Sequence, residues 1–587
     1  MAPTVLAVFF AVLICADLPP AMNQVTVSVL KTSGKKFIVY PARLDSLWDR
    51  ITLYITTQCL TNVQVKIITP MLGGATAPAG VKISLTVNRS HPVTQEVIGV
   101  ISSQIDILHD GINVMASYDI SVFVNNPSSN ASGVTSILSY DSLSTAYLFP
   151  SIERTYDAQP SVSHTQSSIL IGNPAPGRNE IVVTLPRSAG SGGSPSLRWK
   201  HSDHGPGQTF KIIMNHNEVA DIRQQDGKGT GDLTGTQIMS QKPIAVFSAS
   251  VFYPPPFNGI PPAFRENKDI TIENIPPVGS WGRTFVVTAT PSTSRGDYIR
   301  VMAAQANTNI WSSLGVVRNL QNIGDFVEDE LLPKSSVLLQ ADKPIQVIQY
   351  RYQFMADSAP FMFHVPAVES YDNIYTVPII FNPDANPGFE NYIVLITHVC
   401  YADRVVLESD LDPRRHQFVT SLSRWKRVGS SSYVTTEVKV NTGFVTIAML
   451  SSGEVKDDAN VTVGGFFFGM GPNQAYAAPL GLQWTSGKST MQWTLPTTTS
   501  TEERPIKDGK AYLVARDQRP MTLPAERLLK SRVACHNECF KESLCAFVGY
   551  KPQKGSIMTR CELFMSTAEC SGHTKEPGYL LYKLHKN

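Results

Sequence analysis

The sequence predicts a mainly β protein, built of tandem antiparallel β-sandwich units with a small C-terminal α+β domain. Three observations carry this. Two similar strings, QKPIAVFSASVFY at 241–253 and DKPIQVIQYRYQF at 342–354, follow Lys-Pro-Ile with alternating apolar residues, the period of a half-buried strand. Downstream of each lies a second shared signal, PPVGSWGRTFVV at 276–287 and PAVESYDNIYTV at 366–377, which read Pro-x-Val-x-Ser-aromatic and then a strand. The chain also holds 40 prolines and 39 glycines, with few long helical periods. A unit that recurs at the scale of one domain implies a string of similar β-domains, and 587 residues leave room for about three to five of them.

The first residues, MAPTVLAVFFAVLICADLPPAMNQ, contain one apolar run from Val5 to Ala16. It is too short to span a bilayer and has the length of a signal-peptide core. Ile14 and Ala16 fit the −3 and −1 positions of a cleavage site, so residues 1–16 read as a signal peptide; the alternative is a buried N-terminal strand. No later segment has the length and apolarity of a transmembrane helix, and no C-terminal apolar tail suggests a lipid anchor. The expectation is a secreted protein without a membrane span.

Residues 23–149 read as strands, among them KKFIVYPA, ITLYITT, VQVKIIT and VKISLTV, separated by polar turns. Residues 150–272 repeat the pattern around Gly/Ser-rich loops, and units at 273–365 and 366–485 follow. FPSIERTY at 149–156 supplies a looser first copy of the Pro-x-Val/Ile step, so the modules are expected to begin at Pro150, Pro276 and Pro366. Residues 486–509 form a Thr-rich linker, open to O-glycans. The grammar then changes over 510–587, where a strand, a helical pattern with Leu528, Leu529 and Val533 on one side, and short strands read as a small α+β domain.

Fifty basic and 48 acidic residues give a net charge of +2, and 42% of the chain is apolar. The basic residues are scattered without a long Lys/Arg run, which argues against nucleic acid as a partner. Removal of Cys15 with the leader leaves seven cysteines, and five of them (Cys535, Cys539, Cys545, Cys561, Cys570) lie in the terminal domain. That density fits disulfides formed in an oxidising compartment. An odd count leaves at least one thiol free or engaged in an intermolecular disulfide. Cys59 and Cys400 sit at strand edges and either bridge distant units, stay as unpaired thiols, or pair outside the chain. Asn88, Asn130 and Asn460 head Asn-x-Ser/Thr sequons and are candidate N-glycosylation sites.

Cys535 and Cys539 stand at i, i+4 in the predicted helix, which places both on one face. The order helix C-x3-C, then C-x5-C, then a C-E-L strand over about 510–585 resembles the PAN/Apple family. The resemblance implies a helix clamped on a curved antiparallel sheet by Cys535–Cys561 and Cys539–Cys545 bridges. It leaves Cys570 without an obvious partner, and it implies protein or carbohydrate binding without catalysis. The repeated Lys-Pro-Ile-x-Val strand, the Pro-Pro-Val-x-x-Trp-Gly step, KKFIVYPA, GDYIRVMAA at 296–304, NYIVLI at 391–396 and VGGFFFGMGPNQAYAAPLG at 463–481 resemble the N-terminal domain of IgG Fc-binding proteins. That resemblance spans about 25–485 and implies a secreted, mucus- or surface-associated binding protein.

Other motifs have bland competitors. Arg295-Gly296-Asp297 is an integrin-type tripeptide, yet a turn leading into a strand needs Gly and Asp in any case. His201, Asp203 and His204 form a potential metal pair without an evident third ligand. Asp410, Asp412 and His416 lack the spacing of a calcium loop. The glycines of GGFFFGMG, without a following Lys-Ser/Thr, relieve crowding among three phenylalanines rather than cradle phosphate. No nucleophile elbow, zinc-protease helix or Cys/His dyad is present, and no catalytic residue, metal ligand or cofactor is expected. The sequence therefore predicts a secreted, non-enzymatic binding or adhesion protein whose partners are extracellular proteins or glycans. The alternative is a secreted glycan-acting hydrolase on a β-scaffold, which needs two carboxylates facing across a groove.

Overall fold

The structure is a computed structural model. It describes residues 29–40, 50–69, 80–98, 109–128, 131–151, 166–187, 194–224, 231–251, 270–291, 296–315, 317–351, 361–380, 388–410, 417–419, 425–450, 461–471 and 474–485. The chain divides into a unit of Val27–Ser489 and a second of Met1–Thr26 with Thr490–Asn587. All described residues belong to the first. The leader, the linker at 486–509 and the PAN/Apple-like domain at 510–587 lie outside them.

The described unit is a set of antiparallel β-sandwiches. A short strand β1 (Val29–Lys31) leads in. The first sandwich holds β2 (Ser33–Val39), β3 (Arg50–Thr56), β4 (Val63–Ile68), β5 (Lys82–Val87), β6 (Val93–Ile98), β8 (Ile112–Ser128) and β9 (Ala131–Ser136), with β7 (His109–Asp110) leaving it to pair with the next sandwich. The second holds β10 (Ser144–Phe149), β11 (Gln166–Gly172), β12 (Asn179–Thr184), the ribbon β13 (Leu197–Trp199) and β14 (Ser202–His204), then β15 (Thr209–Met214), β16 (Glu218–Arg223), β17 (Thr236–Val251) and β18 (Ile270–Asn274). The third holds β19 (Thr284–Thr288), β20 (Asp297–Ala303), β21 (Thr308–Ser312), β22 (Val317–Leu320), β23 (Phe326–Leu331), β24 (Ser336–Ala341), β25 (Ile345–Arg351) and β26 (Met362–His364). The fourth holds β27 (Ile374–Ile379), β28 (Glu390–His398), β29 (Val405–Ser409), β30 (Gln417–Phe418), β31 (Lys426–Arg427), β32 (Tyr433–Val440), β33 (Gly443–Met449), β34 (Val463–Gly471) and β35 (Gln474–Pro479), before the closing β36 (Gln483–Thr485).

One pairing scheme recurs four times. In the third sandwich one sheet runs β19-β24-β21-β22 and the facing sheet β23-β20-β25-β26. In the fourth the same places are taken by β27-β33-β29-β30 and β32-β28-β34-β35. In the first two, the sixth and seventh strands are fused into one long strand. The first half of β8 pairs with β2 and β4, its second half with β3 and β9. Likewise β17 passes from β10 and β12 to β11 and β18.

The Lys-Pro-Ile motif marks the corner where the chain crosses between the two sheets. Pro243 lies inside β17 at the switch, and Pro344 lies between β24 and β25. A residue without an N–H suits the point where the ladder changes partner. Each lysine then clips a neighbouring loop: Lys242 Nζ donates to the Pro176 carbonyl at 2.6 Å, and Lys343 Nζ to those of Ala306 at 2.6 Å and Asn307 at 2.9 Å. The Pro-x-Val-x-Ser-aromatic step is one turn of 3-10 helix between sandwiches. Ser280 Oγ donates to Pro277 O and Ser370 Oγ to Ala367 O, both at 2.7 Å. The third copy of this turn is Tyr140–Ser142, ahead of β10, and not the step expected at Pro150. Pro150 follows a strand that pairs with β17 and so belongs to the second sandwich.

The last strands of the four sandwiches meet. β9 packs on β18, β18 on β26, β26 on β35, and β35 on β9. β1 pairs with β36 and ties the two ends of the unit together. This closure explains why β25 (IQVIQYR) is buried along its whole length: one face lines its own core and the other faces a neighbouring sandwich. Exposed strands alternate instead, as in β15 (TFKIIM).

The seams differ in chemistry. Between the first two sandwiches Tyr40 meets Phe247 edge-on at 5.8 Å, within a core that runs across both. Between the third and fourth, Phe363 packs on Phe466 at 4.5 Å and Tyr392 stacks on Phe468 at 5.3 Å within the fourth. Between the fourth and first, Phe123 meets Phe467 at 5.7 Å, and Thr56 and Gln58 hydrogen-bond Thr376. The seam between the second and third is polar. Buried Arg300 pairs with Asp232 at 2.8 Å, bonds Glu328, Thr234 and the Ser151 carbonyl, and lies 4.4 Å from the Phe326 ring centroid. At the axis, Glu273 accepts from the His364 backbone N–H at 3.2 Å and from Thr135 Oγ1 at 3.3 Å.

Candidate functional site

The structure distributes the sequence candidates without gathering them. Cys59 is a free, half-buried thiol in the β3–β4 turn, 3.2 Å from Thr61 Oγ1. Cys400, left open with it between a bridge and an unpaired thiol, is disulfide-bonded. Asn88 occupies the β5–β6 turn. Its Nδ2 donates to Asn62 Oδ1 at 2.8 Å, and its Oδ1 accepts from the Ser90 N–H at 3.0 Å. Asn130, Asn460, Cys535, Cys539, Cys545, Cys561 and Cys570 lie outside the described residues.

The integrin-type reading of Arg295-Gly296-Asp297 fails on burial. Asp297 is fully buried. Its Oδ2 accepts from the Thr290 N–H at 2.5 Å, the Thr290 hydroxyl at 2.7 Å and Gln349 Nε2 at 2.7 Å. Gly296 has φ +88°, and a Cβ there would lie 1.9 Å from the Leu331 carbonyl oxygen. The tripeptide's glycine and aspartate therefore start a strand. Asp203 and His204 form the β14 arm of a two-stranded ribbon. His204 stacks on Phe210 at 4.4 Å, and burial lowers its pKa against the opposing pull of Asp203. No cluster that would hold a metal occurs among the described residues. Asp410 Oδ1 caps the Phe444 N–H at 2.9 Å, while Asp412 and His416 lie outside the described residues. Gly464 and Gly469 make room for the Tyr371 and Tyr476 rings, where a Cβ would come within 2.1 and 2.2 Å of ring carbons. The glycines of GGFFFGMG thus relieve crowding, but against tyrosine rings and the Val394 carbonyl rather than among the three phenylalanines.

The buried carboxylates among the described residues are Asp232, Glu273 and Asp297, and all three are held by scaffold groups. None of them is presented to solvent for acid–base chemistry. No helix among the described residues is long and apolar enough to cross a membrane.

What the sequence reading missed is an outward face on the third sandwich. β21 is a strand because Thr308, Ile310 and Trp311 suit a pleated surface, and its burial alternates so that Ile310 enters the core while Trp311 points out. Trp311 lies opposite Val317 on β22 and Gln340 on β24, so the three form one row. Asn309, opposite Asn319 and bonded to Asp342, forms the next row. Trp311 is 43% exposed, Val317 58% and Leu314, in the connecting turn, 70%.

The described residues of that turn, Ser313, Leu314 and Gly315, are held by hydrogen bonds. The Ser313 N–H donates to Leu338 O at 2.9 Å, the Leu338 N–H to Ser313 Oγ at 3.1 Å, and Gly315 supplies the positive φ of +80°. The inboard half of the same face is covered: Val286 and Leu338 pack with Tyr371, Ile396, Val428 and Tyr433 of the fourth sandwich. On the opposite side of β22, at the sandwich edge, Arg318 pairs with Asp329 of the facing sheet at 3.3 Å, while Asn309, Asn319 and Gln340 give the outer face its polar positions. A fixed, flat, partly apolar face with a polar rim is what recognition surfaces present.

Comparison with known proteins falls on the same unit. A family model described as IgGFc binding protein matches residues 135–464, more than half of the chain. The match takes in the second and third sandwiches and most of the fourth. The first sandwich lies outside it and has the same strand pairing. Over 242 residues the chain is 24% identical to human IgGFc-binding protein, a match that covers 40% of this chain and 4% of that relative. No solved structure matches. With the family model covering most of three sandwiches, the chain belongs to the IgGFc-binding protein family.

Proposed function

We propose that this protein is a secreted, non-enzymatic recognition protein whose sandwich unit presents the outer face of β21 and β22 to extracellular partners. The observation that carries this reading is the Trp311 row: a large indole stands in solvent on a rigid hairpin, while the equivalent positions nearer the axis are packed into seams. Trp on a fixed surface is the residue type that most often anchors an interface. Human IgGFc-binding protein is named for binding the Fc of immunoglobulin, which makes that fragment a natural first partner to test. Residues 1–16 serve as the signal peptide in this reading, and Asn88, Asn130 and Asn460 as glycan acceptors. The segment 510–587 serves as a PAN/Apple-like binding module stapled by Cys535–Cys561 and Cys539–Cys545.

The test is surface plasmon resonance of the full chain against a panel of extracellular glycoproteins, immunoglobulin Fc among them, beside an assay for sugar release from the same panel. Saturable binding without released sugar is the expected result. Absence of binding across the panel, or sugar release in favour of the hydrolase alternative, overturns the proposal.

A further inference from the structure

The Trp311 face carries chemistry that fits one ligand class. We propose that it binds a neutral hexopyranose of the β-galactoside type, with the sugar's C–H face on the Trp311 indole and its hydroxyls on the neighbouring asparagine row; this rests on the reading of that face as the contact surface. The asparagines are pre-arranged as a directional chain. Asn319 Nδ2 donates to Asn309 Oδ1 at 2.9 Å, and Asn309 Nδ2 donates to Asp342 Oδ2 at 2.8 Å. Asp342 Oδ1 takes the Asn309 backbone N–H at 2.8 Å. A primary amide has two N–H donors and an acceptor. The chain therefore leaves a second N–H on each asparagine and the Asn319 carbonyl oxygen at the surface. A sugar hydroxyl, which donates and accepts at once, answers that set.

Size and charge narrow the class. The strip left open by the fourth sandwich is two strands wide, about 5 Å from β21 to β22, and the indole row and the amide row are two residues, about 7 Å, apart. One pyranose covers both rows. A protein partner needs about 800 Å² on each side and would have to engage surface beyond this strip, whereas a single sugar fits within it. The face also keeps a negative charge, since Asn309 hydrogen-bonds the Asp342 carboxylate without neutralising it. That favours an uncharged sugar over a sulfated or sialylated one. A β-galactoside has an axial O4, which leaves C3–H, C4–H and C5–H on one face. These polarised C–H groups are attracted to the negative face of an indole.

The test is saturation-transfer NMR of methyl β-D-galactopyranoside with the full chain. Transfer should be strongest at H3, H4 and H5. It should fall about tenfold in Trp311→Ala, partly in Asn319→Ala, and least in Trp311→Phe. Thermal unfolding of each variant checks that the fold is retained, and Trp311→Phe keeps the test decisive if the alanine variant unfolds. No transfer in the wild type, or transfer unchanged in Trp311→Ala, overturns the proposal. A second arm separates it from the contact-surface reading. If glycoprotein binding depends on Trp311 but persists at full strength after enzymatic removal of the partner's glycans, the sugar assignment fails while the contact surface stands.

Discussion

At the level of single residues, the axis of the sandwich unit holds two titratable groups with opposite consequences. Burial pushes the His364 imidazole from 6.5 down to about 3, so the folded protein keeps it neutral. The unfolded chain takes up that proton near 6.5, and His364 therefore contributes stability above that pH, which is lost as the pH falls toward 3. Burial lifts the Glu273 carboxyl well above 4.5, against the His364 N–H and the Thr135 hydroxyl that favour its ionised form. Its contribution is whole below 4.5 and is lost as the pH rises toward the raised value. A tenfold difference in proton affinity between the folded and unfolded chain corresponds to about 1.4 kcal/mol. Thermal melts across pH should show a shallower acid limb in His364→Leu and a shallower alkaline limb in Glu273→Gln. Unchanged limbs would remove both residues from the pH response. No local pattern announces this pair, since Glu273 and His364 are 91 positions apart and meet only when β18 reaches β26. Asp297 illustrates the reverse: its motif was visible, but its meaning turned on burial, which a tripeptide does not encode.

At the level of elements, strand identity was legible because apolar alternation and Pro/Gly punctuation are local properties. The Lys-Pro-Ile strings and the Pro-x-Val-x-Ser-aromatic steps became the sheet-crossing corner and the inter-sandwich turn. The Tyr140–Ser142 turn escaped the pattern because it lacks the proline; its serine instead donates to the Lys31 carbonyl at 2.9 Å. The polar seam was not legible, since Arg300 reads as an outward residue of β20 until Asp232 is brought beside it. Burial lowers the Arg300 pKa, but Asp232, Tyr350 and Glu328 outweigh it and the net shift is upward. Arg300→Met leaves the Asp232 carboxylate buried without its cation and should cost about 3–5 kcal/mol. The double variant with Asp232→Asn should cost less than Arg300→Met alone. Equilibrium denaturation of the single and double variants checks this, and equal losses would show that the pair is not the seam's fastening.

Across the whole sandwich unit, the repeated domain was visible in sequence but the fourfold recurrence was not. The first sandwich has no Lys-Pro-Ile string, since its fused strand β8 turns the corner through Tyr118-Asp119. In the fourth, β33 and β34 are separated by residues outside the described set. Closure by β1 and β36 joins segments some 450 positions apart, beyond any local signal. The candidate site was equally hidden. Trp311 and Asn319 belong to no motif, and they stand out only because the fourth sandwich covers half of their sheet and leaves the other half open.

Whether recognition runs through that open half is decided by one comparison: binding isotherms of the wild-type chain, Trp311→Ala and Ile213→Ala on the same immobilised glycoprotein. Ile213 is an outward residue of the second sandwich with 44% exposure, close to the 43% of Trp311, so it controls for loss of exposed apolar surface alone. Trp311→Ala is expected to weaken binding by about tenfold or more, while Ile213→Ala binds as the wild type does. Equal affinity in the wild type and Trp311→Ala, with both folded, would show that partners bind elsewhere on the chain.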